Sequence, residues 1–139
     1  MSDLHIRYAA RPDIDAVLRF WRAAAEGTSI SDDHEGVARL ICRDPEALLL
    51  AERDSTLVGT VIAEFDGWRC SAYRLAVHPD HRRQGIATAL LDAAEQRFAA
   101  LGGRRVDAMV LEENIRAHLA WQAAGYHRED RWRRWVKPL

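Results

Sequence analysis

The chain has 139 residues, of which 48% are hydrophobic and 29% are charged, and its formal net charge is −1. This size and composition are typical of one globular domain, so we expect a single domain over residues 1–139 and exclude a disordered chain. No apolar run approaches the roughly 18 residues that cross a bilayer, and the first residues lack a signal-peptide pattern. Cys42 and Cys70 lie far apart, which excludes a disulfide scaffold. The sequence therefore predicts a cytoplasmic protein with no membrane partner.

The pattern of hydrophobic residues predicts the element order β-α-α-β-β-β-α-β-α-β. In chain order we expect a strand over 4–8, helices over 11–26 and 33–43, strands over 47–52, 57–65 and 70–78, a helix over 85–101, a strand over 106–111, a helix from 114 to 125, and one or two strands within 126–136. Glycine at 27, 102 and 125 would stop the helices. This order predicts an α/β (α+β) domain, with a mixed, mostly antiparallel sheet flanked by about four helices.

Residues 73–91, YRLAVHPDHRRQGIATALL, combine a strand end, a basic loop and a glycine that opens an amphipathic helix. The first N–H groups of a helix have no partner within the helix, and its dipole adds positive charge there. Gly85 and Ala87 allow the backbone to approach a ligand closely, while Arg82 and Arg83 add formal charge. The segment matches neither the P-loop nor the dinucleotide-binding fingerprint. It predicts a site for a phosphate-bearing ligand.

The string RRQGIA at 82–87 resembles the Q/R-x-x-G-x-G/A loop of the GNAT superfamily of acyl-CoA-dependent N-acetyltransferases. The family's second signature, N-x-x-A-x-x-x-Y-x-x-x-G-F, resembles this chain at Asn114, Ala117, Trp121 and Gly125-Tyr126. The element order also matches, and FDGWRCSAYRLAVHP is similar to small bacterial YpeA-type members. The resemblance implies a GNAT domain that uses acetyl-CoA as acyl donor and an amine as acceptor, with no metal.

The resemblance further implies a donor cleft beside the strand that precedes the loop. The backbone of Val77 would bond the pantetheine arm, and the N–H of Leu75 would point at the thioester carbonyl, where it suits oxyanion stabilisation. Backbone amides of 83–88 would hold the pyrophosphate, and Asn114 would contact the pantetheine side. The implied donor-binding residues are Leu75, Val77, Arg82, Arg83, Gln84, Gly85, Ile86, Ala87, Thr88 and Asn114. The 3′-phosphate would meet Arg82, Arg83 or Arg116.

Trp121 stands where the family usually has its acidic tyrosine, and an indole N–H is not an acid at any useful pH. Another group could protonate the departing thiolate, with Tyr126, His118 and Tyr73 as candidates. Packing is the favoured role of Tyr126, and a surface or capping role that of His118. Water could also supply the proton, or the protein could bind acyl-CoA without catalysing transfer.

The residues at the family's two base positions, Ser71 and Met109, cannot accept a proton. The nearest carboxylates are Glu64, Asp66, Glu112 and Glu113, each of which is expected at a turn. Among them Glu64 is the candidate base, because it follows the apolar run at 61–63 and is expected to be partly buried.

Acidic residues in the region of the first two helices would suit a cationic amine by electrostatic steering. They are Glu26, Asp32, Asp33 and Glu35. His78 and His81 have a spacing found in metal sites, but no further ligand lies nearby, so we expect no metal.

The tail at 128–137 mixes basic residues with Trp132 and Trp135, a pattern that can bind nucleic acid or a protein. The same alternation suits a terminal strand at a sheet edge or in a homodimer, and this interpretation is favoured over nucleic acid. The sequence therefore predicts an N-acetyltransferase. The first alternative is an acyl-CoA-binding protein with weakened catalysis, and the second is a nucleic-acid or protein-binding module.

Overall fold

A computed structural model describes residues 3–25 and 29–139, and it shows a five-stranded sheet in the order β1-β2-β3-β4-β5. The strands are β1 (Leu4–Tyr8), β2 (Leu48–Arg53), β3 (Thr56–Phe65), β4 (Cys70–Val77) and β5 (Val106–Ala108). The helices are α1 (Ile14–Ala24), α2 (His34–Arg43), α3 (Ile86–Ala100) and α4 (Ile115–Ala123), with short 3₁₀ turns at Arg11–Asp13 and Pro79–His81. The first four strands pair antiparallel, and β5 pairs parallel to β4. The predicted fold class is confirmed.

Side-chain caps explain where two of the helices begin. The Asp33 carboxylate accepts the backbone N–H of Gly36 at 2.7 Å, so α2 begins one residue after Asp33. The Asn114 side-chain oxygen accepts the N–H of Ala117 at 3.1 Å and starts α4 in the same way. Such caps satisfy N–H groups that have no partner inside the helix.

Helices cover both faces of the sheet. Trp21 of α1 and Ile41 of α2 belong to a hydrophobic cluster on one face, while Leu90 of α3 and Trp121 of α4 belong to a cluster on the other. We call these the α1–α2 face and the α3 face. Alternate residues of β2 contribute to the two clusters, as expected for a strand buried on both sides.

The alternation changes phase in the middle of β4. Ala72 belongs to the α3 face and Ala76 to the α1–α2 face, although they are four positions apart and a regular strand would place both on one face. The β3–β4 register accounts for this, because Ile62 pairs with Tyr73 while Thr60 pairs with Ala76. Two residues of β4, 74 and 75, therefore stand opposite one residue of β3, which is a β-bulge.

The C-terminal part of the chain departs from the sequence prediction. The strand expected over 106–111 ends at Ala108, and the strands expected within 126–136 are wrong, since residues 109–139 contain no strand. The tail matches the alternating pattern of a strand, but Trp135 is 93% exposed and Trp132 is also exposed. Without burial, nothing offsets the entropy lost in ordering a strand.

The remaining boundaries differ from the prediction by at most three residues. The predicted helix over 11–26 begins with a 3₁₀ turn, and its expected stop at Gly27 lies outside the described residues. Within residues 3–25 and 29–139, the helices are too short or too polar to cross a bilayer.

Candidate active site

A gap opens in the sheet beside the second half of β4. β5 pairs with β4 only from Cys70 to Ala72, so beyond this point β4 has no strand neighbour on that side among the described residues. Leu75 and Val77 lie on this stretch, and both are partly buried against the hydrophobic cluster that contains Trp121. The bulge falls at the same place, where Arg74 has a φ of +52°. The two residues implied for thioester and pantetheine contact therefore border one gap.

The N-terminus of α3 lies directly after this strand and its loop. Gly85 is the N-cap residue, with a φ of +79° and no side-chain cap. Arg83 is also left-handed, with a φ of +63°. The first backbone N–H groups of α3, at 86–88, thus have no side-chain cap, and the dipole makes this end positive. This geometry suits an anion.

A contact from β2 supports this loop. The guanidinium of Arg53 donates a hydrogen bond to the side-chain oxygen of Gln84, and Arg82 Nε donates to the carbonyl of Val77 at 3.4 Å. Arg53 Nε is buried and has no hydrogen-bond partner among the described residues. The sequence did not point to Arg53, because it lies on another strand 31 positions before Gln84. An unpartnered donor beside an uncapped helix end fits a polyanionic ligand such as the pyrophosphate of CoA.

The histidines of the loop form local contacts. His78 Nδ1 accepts the backbone N–H of Asp80 at 3.1 Å, and the rings of His78 and His81 are 5.8 Å apart between centroids. Across the part of the chain that the structure describes, no group of three or more His, Cys, Asp and Glu side chains could hold a metal ion.

The candidate acids have different surroundings. Trp121 is 8% exposed and packs edge-on against Tyr126, with ring centroids 4.8 Å apart. The Tyr126 hydroxyl donates to Glu95 at 2.9 Å; burial, followed by this hydrogen bond, raises the pKa of Tyr126 above its ordinary value. Tyr126 thus holds its proton and fills the core. His118 Nε2 lies 2.9 Å from the carbonyl oxygen of Leu111, and Tyr73 is exposed.

Glu64 lies directly opposite Ser71 in the β3–β4 register. Because Ala63 and Ala72 belong to the α3 face, their neighbours Glu64 and Ser71 point to the α1–α2 face. The Glu64 side chain is 20% exposed and accepts a hydrogen bond from Arg43 at 2.8 Å. It is partly buried, as the sequence predicted.

The other carboxylates near the site have structural roles. Asp66 accepts the backbone N–H groups of Arg69 and Trp68 in the turn after β3, and these hydrogen bonds lower its pKa. Glu112 forms an ion pair with Arg128 at 2.7 Å.

The acidic region expected to attract a cationic amine is largely paired. Asp32 forms an ion pair with Arg74, Asp33 caps α2, and Glu35 pairs with Arg39 at 2.6 Å. Glu26 lies outside the described residues. The Arg74 guanidinium also lies over the Trp21 ring, 5.6 Å from its centroid. A cationic side chain that the sequence did not associate with this region therefore compensates part of its charge.

Comparisons with known proteins agree with this geometry. The model of the acetyltransferase (GNAT) family matches residues 14–126. An acetyltransferase of Yersinia pestis (strain Pestoides F) is 33% identical over 127 residues, which cover 91% of this chain and 90% of the relative.

Two solved structures show the same fold. The PaiA N-acetyltransferase from Thermoplasma acidophilum, in complex with coenzyme A, superposes with a TM-score of 0.82 at 20% identity and covers 92% of each chain. AAC(6′)-Iy, in complex with the bisubstrate analog CoA-S-monomethyl-acetylneamine, superposes with a TM-score of 0.79 at 19% identity, covering 99% of this chain and 100% of that one.

Proposed function

Since this chain belongs to the acetyltransferase (GNAT) family, we propose that it transfers an acetyl group from acetyl-CoA to a primary amine by direct attack on the thioester. One observation carries the proposal: the gap beside Leu75 and Val77 leads to the uncapped N-terminus of α3. A ligand with an extended arm and a pyrophosphate needs both features side by side.

Donor binding would use mainly backbone groups. The N–H groups of 83–88 would bond the pyrophosphate oxygens, with Gln84 held in place by Arg53. The backbone of Val77 would pair with the pantetheine arm in the gap. The Asn114 cap uses only the side-chain oxygen, so its amide NH₂ is the group that we propose for the pantetheine side. Arg82, Arg83 and Arg116 all stay candidates for the 3′-phosphate.

The transfer step needs a neutral amine. Its nitrogen attacks the thioester carbon, the new C–N bond forms, and the C–S bond breaks with the electron pair leaving on sulfur. The N–H of Leu75 would donate to the oxygen on which negative charge develops. Holding both reactants in one cleft supplies a further part of the rate enhancement.

The amine must also lose a proton. A lysine-like amine has a pKa of about 10.4 and is almost fully protonated at neutral pH. Glu64 is our candidate base, because it lies on the α1–α2 face directly opposite Ser71, which is at a base position of the family. To act, its carboxylate would exchange the Arg43 contact for the amine proton or a bridging water.

The departing thiolate needs less help. A thiol with a pKa near 8.5 is a fair leaving group without a general acid. Trp121 would therefore serve to line the cleft, with water supplying the proton, and Tyr126 would stay in the core with its hydroxyl on Glu95.

Isothermal titration with acetyl-CoA, and with CoA for comparison, tests donor binding first. We expect micromolar binding of both ligands, followed by thiol release when primary amines are added. No binding at millimolar ligand would contradict the proposal. Dephospho-CoA, which lacks the 3′-phosphate, identifies the residue that binds this group when it and CoA are both titrated into variants of Arg82, Arg83 and Arg116. The arginine that contacts the 3′-phosphate is the one whose variant binds the two ligands equally well.

The cytoplasm as compartment and a homodimer as assembly stay predictions. Cell fractionation and sedimentation of the purified chain test them directly.

A further inference from the structure

We propose that the hydroxyl of Thr60 and the indole of Trp21 position the Leu75 N–H for oxyanion stabilisation, an inference that rests on the proposed function. Thr60 has no exposed surface and lies in β3, where apolar side chains otherwise fill the core. A buried hydroxyl is costly unless it forms hydrogen bonds. Its two partners lead from α1 to the bulge of β4.

The hydrogen bonds run in one direction. Trp21 Nε1 donates to Thr60 Oγ1 at 2.9 Å, and Thr60 Oγ1 donates to the carbonyl oxygen of Arg74 at 2.8 Å. An indole N–H can only donate and a backbone carbonyl can only accept, so the hydroxyl proton has one possible position. The chain of bonds is therefore fixed from the indole to the carbonyl of Arg74.

That carbonyl and the Leu75 N–H belong to the same peptide group. In a planar trans peptide the C=O and N–H bonds point in opposite directions. The Arg74 carbonyl points toward Thr60 on β3, so the Leu75 N–H points away from β3. On that side β5 pairs with β4 only as far as Ala72, which directs the N–H into the gap.

The bulge makes this anchor necessary. Residues 74 and 75 stand outside the regular β3–β4 pairing, and Arg74 has a φ of +52°. The bond from Thr60 gives this peptide group a side-chain partner at the point where the register shifts. It also polarises the peptide, and such cooperativity strengthens each bond of a chain by roughly 10–30%.

Steady-state kinetics of Thr60→Val and Thr60→Ser tests the proposal. Valine keeps the shape of threonine but removes the hydroxyl. We expect kcat to fall about tenfold, which is less than the roughly 10²–10³-fold loss for deletion of a whole oxyanion donor. The KM for acetyl-CoA and the Kd for CoA should stay close to wild type, because the negative charge exists only in the transition state. Thr60→Ser keeps the hydroxyl and should restore most of the rate.

Two further variants guard against misfolding. Trp21→Phe removes only the outer bond and should lower kcat by about two- to threefold, as a weakened chain would. Thr60→Val removes the hydroxyl partner of both the Trp21 indole N–H and the Arg74 carbonyl. The double variant Trp21→Phe, Thr60→Val also removes the indole N–H, so it is the variant to measure if Thr60→Val does not fold. A folded variant without the hydroxyl that keeps wild-type kcat would overturn the proposal.

A spectroscopic readout separates this proposal from the proposed function. The nitrogen-15 amide resonance of Leu75 should move in Thr60→Val and return in Thr60→Ser, whether or not any amine is acetylated. If the wild-type chain releases no thiol with any amine, the proposed function fails. If the Leu75 resonance is the same in wild type and Thr60→Val, the positioning role fails.

Discussion

The proposed donor side (the gap beside β4 and the N-terminus of α3) and the proposed acceptor side (Asp32 and Glu64 on the α1–α2 face) satisfy their polar groups in different ways. On the donor side, the first N–H groups of α3 have no side-chain cap, and Arg53 Nε has no partner among the described residues. On the acceptor side, Asp32 is paired with Arg74 and Glu64 with Arg43. The donor side is thus ready for one polyanionic ligand, whereas an acceptor must compete with contacts that already exist.

The largest expected effect is on the acceptor side. Glu64→Gln should lower kcat at neutral pH by about 10²-fold or more, as loss of a general base does. The loss should shrink at high pH, where the amine is deprotonated without help. The pH–rate profile of kcat with a saturating amine measures this.

Arg43→Gln is the matched control for Glu64. It breaks the same ion pair but keeps the carboxylate, and an ion pair with one exposed partner contributes no more than about 1 kcal/mol to stability. Its kcat should stay within a few-fold of wild type. If Glu64→Gln and Arg43→Gln lose the same amount of kcat, the Arg43–Glu64 ion pair has a structural role and Glu64 is not the general base.

The donor side should respond in binding and not in the transfer step. Alanine at Gly85 meets no atom within 4 Å, but the φ of +79° costs an L-residue roughly 1–2 kcal/mol. Relaxation of the loop would move the amide groups, and we expect the Kd for CoA to rise about tenfold, since each 1.4 kcal/mol is tenfold. Isothermal titration with CoA measures it.

Gly67→Ala provides the control, because Gly67 has a φ of +95° and equally open space but lies in the turn after β3. It should lose similar stability in urea unfolding while the Kd for CoA stays unchanged. If Gly85→Ala also binds CoA like wild type, the left-handed glycine is not needed for the anion site.

This contrast also explains what the sequence could predict. The loop proposed for the donor is one continuous segment, so glycine, arginine and the helix start were sufficient to predict an anion site there. By contrast, α1, β3 and β4 are joined on the α1–α2 face through the Trp21–Thr60–Arg74 bonds. No local pattern in the sequence shows that these residues meet, and the bulge that brings them together depends on the register of two strands.

The fold itself divides in a similar way. The boundaries of β1 to β4 were predicted to within one residue, because alternating hydrophobic runs and turns mark them. The tail was predicted wrongly because its alternating Trp and Arg residues match the pattern of a strand, while a strand also requires an edge and burial that the pattern does not report.

A smaller effect is expected at Trp121, which is buried in the cluster on the α3 face. Trp121→Tyr places the family's usual acid in this chain, and Trp121→Phe makes nearly the same change of volume without the hydroxyl. Because a thiolate leaves without a general acid, the ratio of kcat between the two variants should stay within about threefold. A ratio approaching the roughly 10²-fold effect of a general acid would show that proton transfer to sulfur limits this enzyme.

The smallest effect concerns stability away from both sides. Asp13 lies just before α1, the helix that carries Trp21, and accepts two hydrogen bonds from Arg7, at 2.8 and 2.9 Å. The Arg7 contact, followed by the backbone N–H of Ala10, lowers the pKa of Asp13. A carboxyl whose pKa is lower in the folded state stabilises the fold above its unfolded pKa of about 3.9. That stability is lost as the pH falls through the folded-state value.

Urea unfolding of Asp13→Asn measures this contribution. At pH 7 the variant should be less stable than wild type by about 1 kcal/mol. The difference should shrink below about pH 4, where wild type begins to lose the same contribution. A difference between Asp13→Asn and wild type that stays constant down to pH 2 would mean that the Arg7 contact does not depend on the charge of Asp13.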